Sequence, residues 1–454
     1  MTPKTVEKSN QIFTPQSLRK LIIPLILEQT LLITIGMADT MMIASAGEAA
    51  VSGVSLVDML NNLIVAVLSA LATGGAVVTS QLIGAGKREE ACHSAKQLVY
   101  TTTLITIGIS VIVAIFSKQI LNLFFGSIEQ DVFQNALIYL LVSAAYFPFL
   151  AIYNSAAALF RSMGNSKITL KVGVCMNIVN VCGNAICVLG FKMGVLGVAI
   201  PSLIARAVAA FVLYGLLKNP EYIVHIRKER FCFDKQMVRS ILRIGIPGGV
   251  ENGIFEFGRV IVVSIISGFG TVHIAANGVA NSLDNLGCIA CRAIGLAMIT
   301  VVGQCVGAKE EKQVRYYTKK LIGISYLFTA VVNIPMLLGL PWILQLYGVT
   351  QETRQLAYQL VMIHNGMAML VWPLAFVLPN MLRACNDVRF TMVVSIFSMF
   401  TFRIGFSFII GVNMGYGAVG VWLAMVIDWI FRLICFVGRY LRGKWKITAE
   451  LGEA

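Results

Sequence analysis

The stretch QLIGAGKREEA, Gln81 to Ala91, is answered by QCVGAKEEKQ, Gln304 to Gln313, 223 residues further along the chain. The same shift carries Pro24 onto Pro247, Glu28 onto Glu251 and Gly197 onto Gly420. A second motif, FRSMGNSKIT from Phe160, returns as LRACNDVRFT from Leu382, with the offset drifting where short loops differ. Both copies sit between long apolar runs, so the duplicated unit is written for a lipid bilayer. Two similar bundles that rock about a site between them are a common plan for secondary transporters, and duplication of a membrane unit therefore points to a transporter.

Working outward, 57% of the 454 residues are hydrophobic and only 13% are charged, more apolar surface than a soluble core of this size buries. Crossing roughly 30 Å of hydrocarbon takes about 20 helical residues. Apolar runs of that length fall at roughly 18–45, 52–79, 97–117, 133–157, 169–190, 195–217, 241–268, 276–304, 319–341, 356–380, 390–412 and 417–438. The expected fold is an all-α integral membrane protein with twelve transmembrane helices in two repeated six-helix bundles. Residues 1–217 make an N-terminal lobe, 218–240 a cytoplasmic inter-lobe loop and 241–454 a C-terminal lobe.

Lys and Arg set the orientation, because cytoplasmic loops retain positive charge. They cluster at Lys87, Arg88 and Lys96, at Arg161, Lys167 and Lys171, from Lys218 to Arg243, from Lys309 to Lys320, at Arg383 and Arg389, and from Arg439 to Lys446. The opposite loops hold Lys118, Lys192 and Arg354. This predicts a multi-pass plasma-membrane protein with both termini cytoplasmic. The net charge of +14 follows from that topology and from anionic inner-leaflet lipid, which removes the case for a nucleic-acid partner. The polar N-terminus has no signal-peptide core, so the first span is expected to remain. The ten cysteines form no framework, and Cys288 and Cys291 read as small packed hydrophobes.

An ionisable group at the bilayer centre costs about 2.5–3.5 kcal/mol on insertion scales, so each one needs a partner or a wet cavity. Glu256 with Arg259 and Asp428 with Arg432 have helical spacing and can pair locally. Glu28 and Asp39 share a face of the first span with no basic residue between them. Measured from Lys20, they lie about 12 Å and about 28 Å deep. Asp39 is thus either a functional carboxylate in the outer half or an interfacial cap. Pro24 adds a hinge near the inner end. Asn177, Asn180 and Asn184 form one stripe on the fifth span, suited to a small cation or a carboxylic acid, or to hydrogen bonds between helices. Shifted by 223, these positions become Phe400, Arg403 and Ser407, and Asp39 becomes Val262. Packing common to both halves would not need amides in one half only, which favours a functional role.

GMADTMMIASAG at Gly36, QLIGAGKREEA, FRSMGNSK, NIVNVCGN at Asn177 and GVLGVAIPSLIAR at Gly194 together resemble the multidrug and toxic compound extrusion (MATE) transporters of bacteria. The resemblance covers all twelve spans. It implies a V-shaped pair of lobes and a secondary active antiporter that exports cationic or amphipathic xenobiotics in exchange for Na⁺ or H⁺. On this resemblance Asp39 carries the coupling ion with Asn177, Asn180 and Asn184, with a possible Na⁺ site at Asp39 and Asn180. Ser202 stands where relatives offer a hydroxyl, Pro24 matches the hinge, and Glu28, Glu251 and Glu256 are substrate or secondary coupling carboxylates. Relatives have an Asp where Asn184 stands, so a two-carboxylate Na⁺ site is not reproduced. The tenth span has His364 instead of the family's Asp. No cofactor is implied; the partners are small cationic or amphipathic substrates and membrane lipid, and the chain is expected to be a monomer.

Aromatic residues Tyr146, Phe147, Phe255, Phe257 and Trp372 either line a cavity through cation–π contacts or pack. The competing functions are flipping of a lipid-linked precursor, which Arg206, Arg292, Arg403 and Arg432 keep open, export of a native metabolite, and a major-facilitator carrier, whose loop signature is missing. An enzyme is disfavoured because the four histidines, His93, His225, His273 and His364, are dispersed and no HExxH or GxSxG occurs.

Overall fold

The computed structural model describes the backbone of residues 11–44, 47–126, 129–226 and 232–446, and their side chains apart from 35–41 and 44. Among the described residues every regular element is helical. The long helices are α1 (Pro15–Ala44), α2 (Glu48–Gly84), α3 (Arg88–Ile115), then, after the short α4 (Ser117–Phe125), α5 (Gln130–Ser162), α6 (Ser166–Asn184) and α7 (Leu196–Leu216). The second half runs α8 (Lys235–Ser267), α9 (Thr271–Gly287), α10 (Ile289–Gly307), α11 (Glu311–Leu338), short α12 (Leu340–Gln345), α13 (Gln351–Trp372), α14 (Leu378–Ala384), α15 (Val388–Ser398) and α16 (Gly417–Leu441). Wide π turns extend α6 over Ala185–Gly190, join α13 to α14 over Pro373–Val377, and continue α15 over Met399–Gly405 and Ser407–Asn413. Joined in this way, with α9 running into α10 through Cys288, the helices form twelve rods at the expected places.

Among the described residues, ten helices are long and apolar enough to cross a membrane. Helices α1 and α8 are repeat-related and carry Glu28 and Glu251 beside Pro24 and Pro247. Both helices continue through their prolines.

The chain divides into two compact units. The first is Arg19–Gly249; the second runs from Val250 onward and takes in the N-terminal residues as far as Leu18. In the second unit Phe13 exchanges two hydrogen bonds with Tyr317: its N–H donates to the phenol oxygen at 3.0 Å and its carbonyl accepts from the phenol at 2.7 Å. The segment after α7 belongs to the first unit. Arg88 donates to the carbonyls of Pro220, Tyr222 and Ile223 at 3.0–3.1 Å, and Asp234 caps the start of α8 by accepting from the N–H groups of Gln236 and Met237.

The duplication is clearest in the turns. Left-handed residues pair across the halves as Gly47 with Gly270, Gly86 with Lys309, Gly126 with Gly348, Gly164 with Asn386, Lys192 with Gly415 and Gly194 with Gly417. The QLIGAGK and QCVGAKE motifs are therefore one turn written twice. Gly86 has φ +74° and Lys309 φ +58° at the same point, so the backbone path is kept even where a side chain makes it more costly. Asn386, at φ +64°, takes the place of Gly164 with the non-glycine side chain that tolerates this region best.

Close helix contacts repeat as well. A Cβ on Gly197 would stand 2.9 Å from Val188, and one on Gly420 would stand 2.8 Å from Gly411. Small residues let backbones approach where lipid supplies no hydrophobic drive for helix association.

Each unit also holds a buried carboxylate clamp. In the first, Arg161 Nη1 donates to Glu28 Oε1 at 3.2 Å and Thr169 Oγ1 to Glu28 Oε2 at 2.9 Å. In the second, Arg383 Nη2 donates to Glu251 Oε1 at 2.8 Å, Thr391 Oγ1 to Oε2 at 3.5 Å and Ser395 Oγ to Oε1 at 2.6 Å. The arginine and threonine come from the repeated FRSMGNSKIT and LRACNDVRFT segments. Removing one member of such a pair leaves a buried charge and costs about 3–5 kcal/mol, whereas replacing both with groups that match each other does not. Arg383→Ala is therefore expected to lower the thermal midpoint of the purified protein sharply, and Glu251→Gln with Arg383→Met to recover most of it, as followed by fluorescence-detected gel filtration after heating.

Candidate functional site

In the first unit α6 and α7 meet at a glycine. A Cβ on Gly183 would stand 2.6 Å from Pro201, so the two helices touch there, and the next residue, Ser202, is pressed against α6. Ser202 Oγ donates to Asn180 Oδ1 at 3.0 Å, with both side chains buried. Asn184 is fully buried one turn further on, and Asn177 is half-buried. The amide stripe and Ser202 are thus brought together. Just beyond Asn184 the helix opens into its π turn, a local widening often found at functional positions.

The polar strip continues onto neighbouring helices. Arg206 donates to the Ser202 carbonyl at 3.1 Å and lies 4.1 Å over the Tyr146 ring. On α2, Asn61 donates to Ser143 of α5 at 3.1 Å and stands 3.5 Å from Asp58. Nothing local in the sequence links Arg206 with Asp58, which lie 148 residues apart. Their placement on one strip with Ser202 becomes visible once α5 lies between α2 and α7. The Asp39 side chain falls outside the described residues.

The repeat-related contact in the second unit has different chemistry. Asn180 corresponds to Arg403 and Ser202 to Met425, and Arg403 Nη2 lies 2.7 Å from Met425 Sδ. Arg403 is also 3.9 Å from Asp428, which binds Arg432 Nε at 2.9 Å and accepts from Ser398. The Asp428–Arg432 pair forms as its spacing suggested, and so does Glu256–Arg259, at 3.3 Å on a partly exposed face. Glu28 and Glu251 sit in the clamps described above. Phe255 lies beneath Arg403 and Arg432, at 5.2 and 5.6 Å. Tyr146 and Phe147 are buried in the first unit's core, and Phe257 is exposed.

A further constellation in the second unit was not anticipated. His364 Nε2 lies 3.0 Å from Asp284 Oδ1, and its Nδ1 lies 3.0 Å from Asn365 Oδ1. Trp372, Trp422 and Trp429 surround the imidazole at 6.0, 5.2 and 4.6 Å between ring centroids. Cys288 and Cys291 are buried free thiols, as the apolar reading had them; Cys288 Sγ donates to Asp284 Oδ1, and Cys291 Sγ lies within 3.1 Å of Ser325 and Thr329. The sequence signal for the Asp–His pair was two uncompensated ionisable residues on nearby spans, 80 positions apart.

The MatE family model matches the chain twice, over residues 24–186 and 247–409, again 223 residues apart. Among curated proteins it is 24% identical over 446 residues to YisQ of Bacillus subtilis, an uncharacterized transporter, covering 96% of each chain. It is 25% identical over 446 residues to the probable multidrug resistance protein NorM of Thermotoga maritima, covering 96% of this chain and 94% of that one. Among solved structures, a MOP superfamily transporter from Pyrococcus furiosus aligns with a TM-score of 0.88 at 18% identity over 94% of this chain and 95% of that one. An outward-facing multidrug resistance MATE transporter aligns at 0.86 and 18% over 96% of both chains. Matched in both halves by one family model, the chain is a multi-pass membrane protein that belongs to the MatE family, a family of transporters and not of enzymes.

Proposed function

We propose that this protein is a secondary active multidrug efflux antiporter that exports cationic or amphipathic xenobiotics in exchange for Na⁺ or H⁺, with coupling through Asp39. The observation that carries this reading is the contrast at one duplicated contact: neutral oxygen donors, Asn180 and Ser202, in the first unit, and a guanidinium, Arg403, in the second. A cation is accommodated by the first arrangement and repelled by the second. Relatives named as multidrug resistance proteins support the substrate class.

On this reading Asp39 takes up a proton or attracts Na⁺, with Asn177, Asn180 and Asn184 supplying carbonyl oxygens and Ser202 orienting Asn180. Neutralising Asp39 weakens its hold on a cationic substrate and lets α1 repack about Pro24. One charge moving inward down 100 mV supplies about 2.3 kcal/mol, enough to sustain roughly a fiftyfold gradient. Glu28 and Glu251 serve as secondary coupling groups whose arginines compete with any incoming cation, and Glu256 meets cationic substrate. The polypeptide works without a cofactor, as a monomer in the plasma membrane with both termini cytoplasmic.

Flipping of a lipid-linked precursor is the second reading. Buried Arg403 and Arg432 share the single carboxylate Asp428, which leaves one positive charge among the three for an anionic headgroup.

Proteoliposomes with Na⁺ and pH gradients imposed separately decide between them. Export of a cationic fluorescent dye should follow one gradient and be abolished in folded Asp39→Asn; if neither gradient moves dye, the antiport reading fails and lipid-linked substrates are next. Ser202→Ala removes a buried hydrogen bond worth about 0.5–1.5 kcal/mol. It should raise the ion concentration needed for half-maximal export, with Ser202→Thr close to wild type, as measured by dye export against external Na⁺ or pH.

A further inference from the structure

The hydrogen bonds around His364 leave little freedom as to where its protons sit. Asn333 Nδ2 donates to two backbone carbonyls, Gly287 O at 3.1 Å and Thr329 O at 2.8 Å, so Asn333 must present its oxygen to Asn365. Asn365 Nδ2 donates to that oxygen at 2.8 Å. Asn365 Oδ1 is therefore an acceptor and faces His364 Nδ1, which must carry a hydrogen to donate to it. The remaining nitrogen, Nε2, lies 3.0 Å from Asp284 Oδ1. With Nδ1 already protonated, a neutral imidazole would bring a bare lone pair against a carboxylate. A second proton must lie on the Asp284–His364 axis, as imidazolium against carboxylate or as neutral imidazole against carboxylic acid.

The surroundings hold this chain in place. Gly287 leaves the space it needs, since a Cβ there would stand 2.5 Å from Asn333 Oδ1 and 2.7 Å from Asn365 Nδ2. Cys288 Sγ also donates to Asp284 Oδ1 at 3.3 Å. Arg292 from α10 and Arg403 from the α15 rod are the charged groups that act on Asp284 from neighbouring elements. His364 is 1% exposed inside its tryptophan cage, whereas the Asp284 side chain is 16% exposed, which makes Asp284 the more accessible end of the pair. At the corresponding place the first unit has Asn61 bonded to Ser143, with Asp58 3.5 Å from Asn61, and no imidazole stands there among the described residues.

The geometry points to Asp284 and His364 as a one-proton exchange site in the second unit, separate from the site on Asn180 and Ser202. The proton is carried between Asp284 Oδ1 and His364 Nε2 and is released to water from Asp284; no other bond changes. Loss of that proton sets lone pair against carboxylate and disfavours the packed arrangement of α9 against α13, which links protonation to conformation in this unit.

The test uses the full chain in lipid nanodiscs with ¹⁵N-labelled histidine, His364 being assigned by its loss in His364→Gln. The expected result is a protonated Nδ1 for His364 at every pH between about 5 and 8, the range in which histidine normally titrates. The Nε2–H tautomer at neutral pH would overturn the proposal. In Asp284→Asn the new amide can donate to Nε2, so His364 should be a neutral imidazole with its hydrogen on Nδ1; a protonated Nε2 in that variant would overturn the proposal. In proteoliposomes Asp284→Asn should slow pH-gradient-driven dye export at least tenfold, and an unchanged rate would exclude a role in exchange. The spectroscopic arms need no transport, so they stand whether or not coupling through Asp39 holds.

Discussion

A charged side chain without a partner is not tolerated where water is excluded, and much of this molecule's interior is arranged around that constraint. Glu28 is met by Arg161, Glu251 by Arg383, Asp428 by Arg432 and Asp284 by His364. Each pair joins residues from distinct rods, except Asp428–Arg432, which lies along α16. Buried ion pairs of this kind add little net stability, because desolvation offsets most of the attraction. They do fix which helices are neighbours and in what register, since any slip leaves a charge exposed to an apolar surface. The duplicated clamps, Glu–Arg–Thr in each half, tie the proline-bearing helix of each repeat to the turn between that repeat's fourth and fifth rods.

Around that scaffold the two halves have diverged in a patterned way. Left-handed turn residues, glycine-mediated contacts and the carboxylate clamps recur at a shift of 222 or 223 residues. The interior contacts keep their position and change their chemistry. Asn180–Ser202 becomes Arg403–Met425, and Asn61–Ser143 corresponds to the region of Asp284–His364. Turns and clamps decide whether a unit folds, so both copies retain them. Interior polar groups decide which ligand is bound, and two units working on different ions or substrates have reason to differ there.

Much of this was legible in the chain. Apolar run length placed the rods, and helical spacing paired Asp428 with Arg432 and Glu256 with Arg259, because both signals are local. The partner of Glu28 was not legible from α1 alone: Arg161 is 133 residues away and reaches it only after α5 and α6 have folded back. The repeat held the missing hint, since Arg161 and Arg383 recur together with Glu28 and Glu251. The Asp284–His364 pair and the Asn333–Asn365 bridge escaped for the same reason, and so did the π turns, which arise from packing against neighbours and not from composition. The boundary near Gly249, inside α8, also lies past the loop at 218–240, because α8 begins at Lys235 and its first turns pack with the first unit: a Cβ on Gly74 would stand 2.7 Å from Gly245.

Exchange of ion for substrate is a reciprocal coupling: if an ion gradient drives substrate, a substrate gradient must drive the ion. The most direct test is therefore counter-transport. Proteoliposomes loaded with a cationic dye are diluted into dye-free buffer with Na⁺ and pH equal on both sides, and ion movement is followed with a Na⁺-sensitive and a pH-sensitive reporter. The account predicts that dye efflux alone drives one of the two ions inward against a growing gradient, and that removing the dye gradient abolishes the movement. Dye that runs down without moving either ion would contradict it.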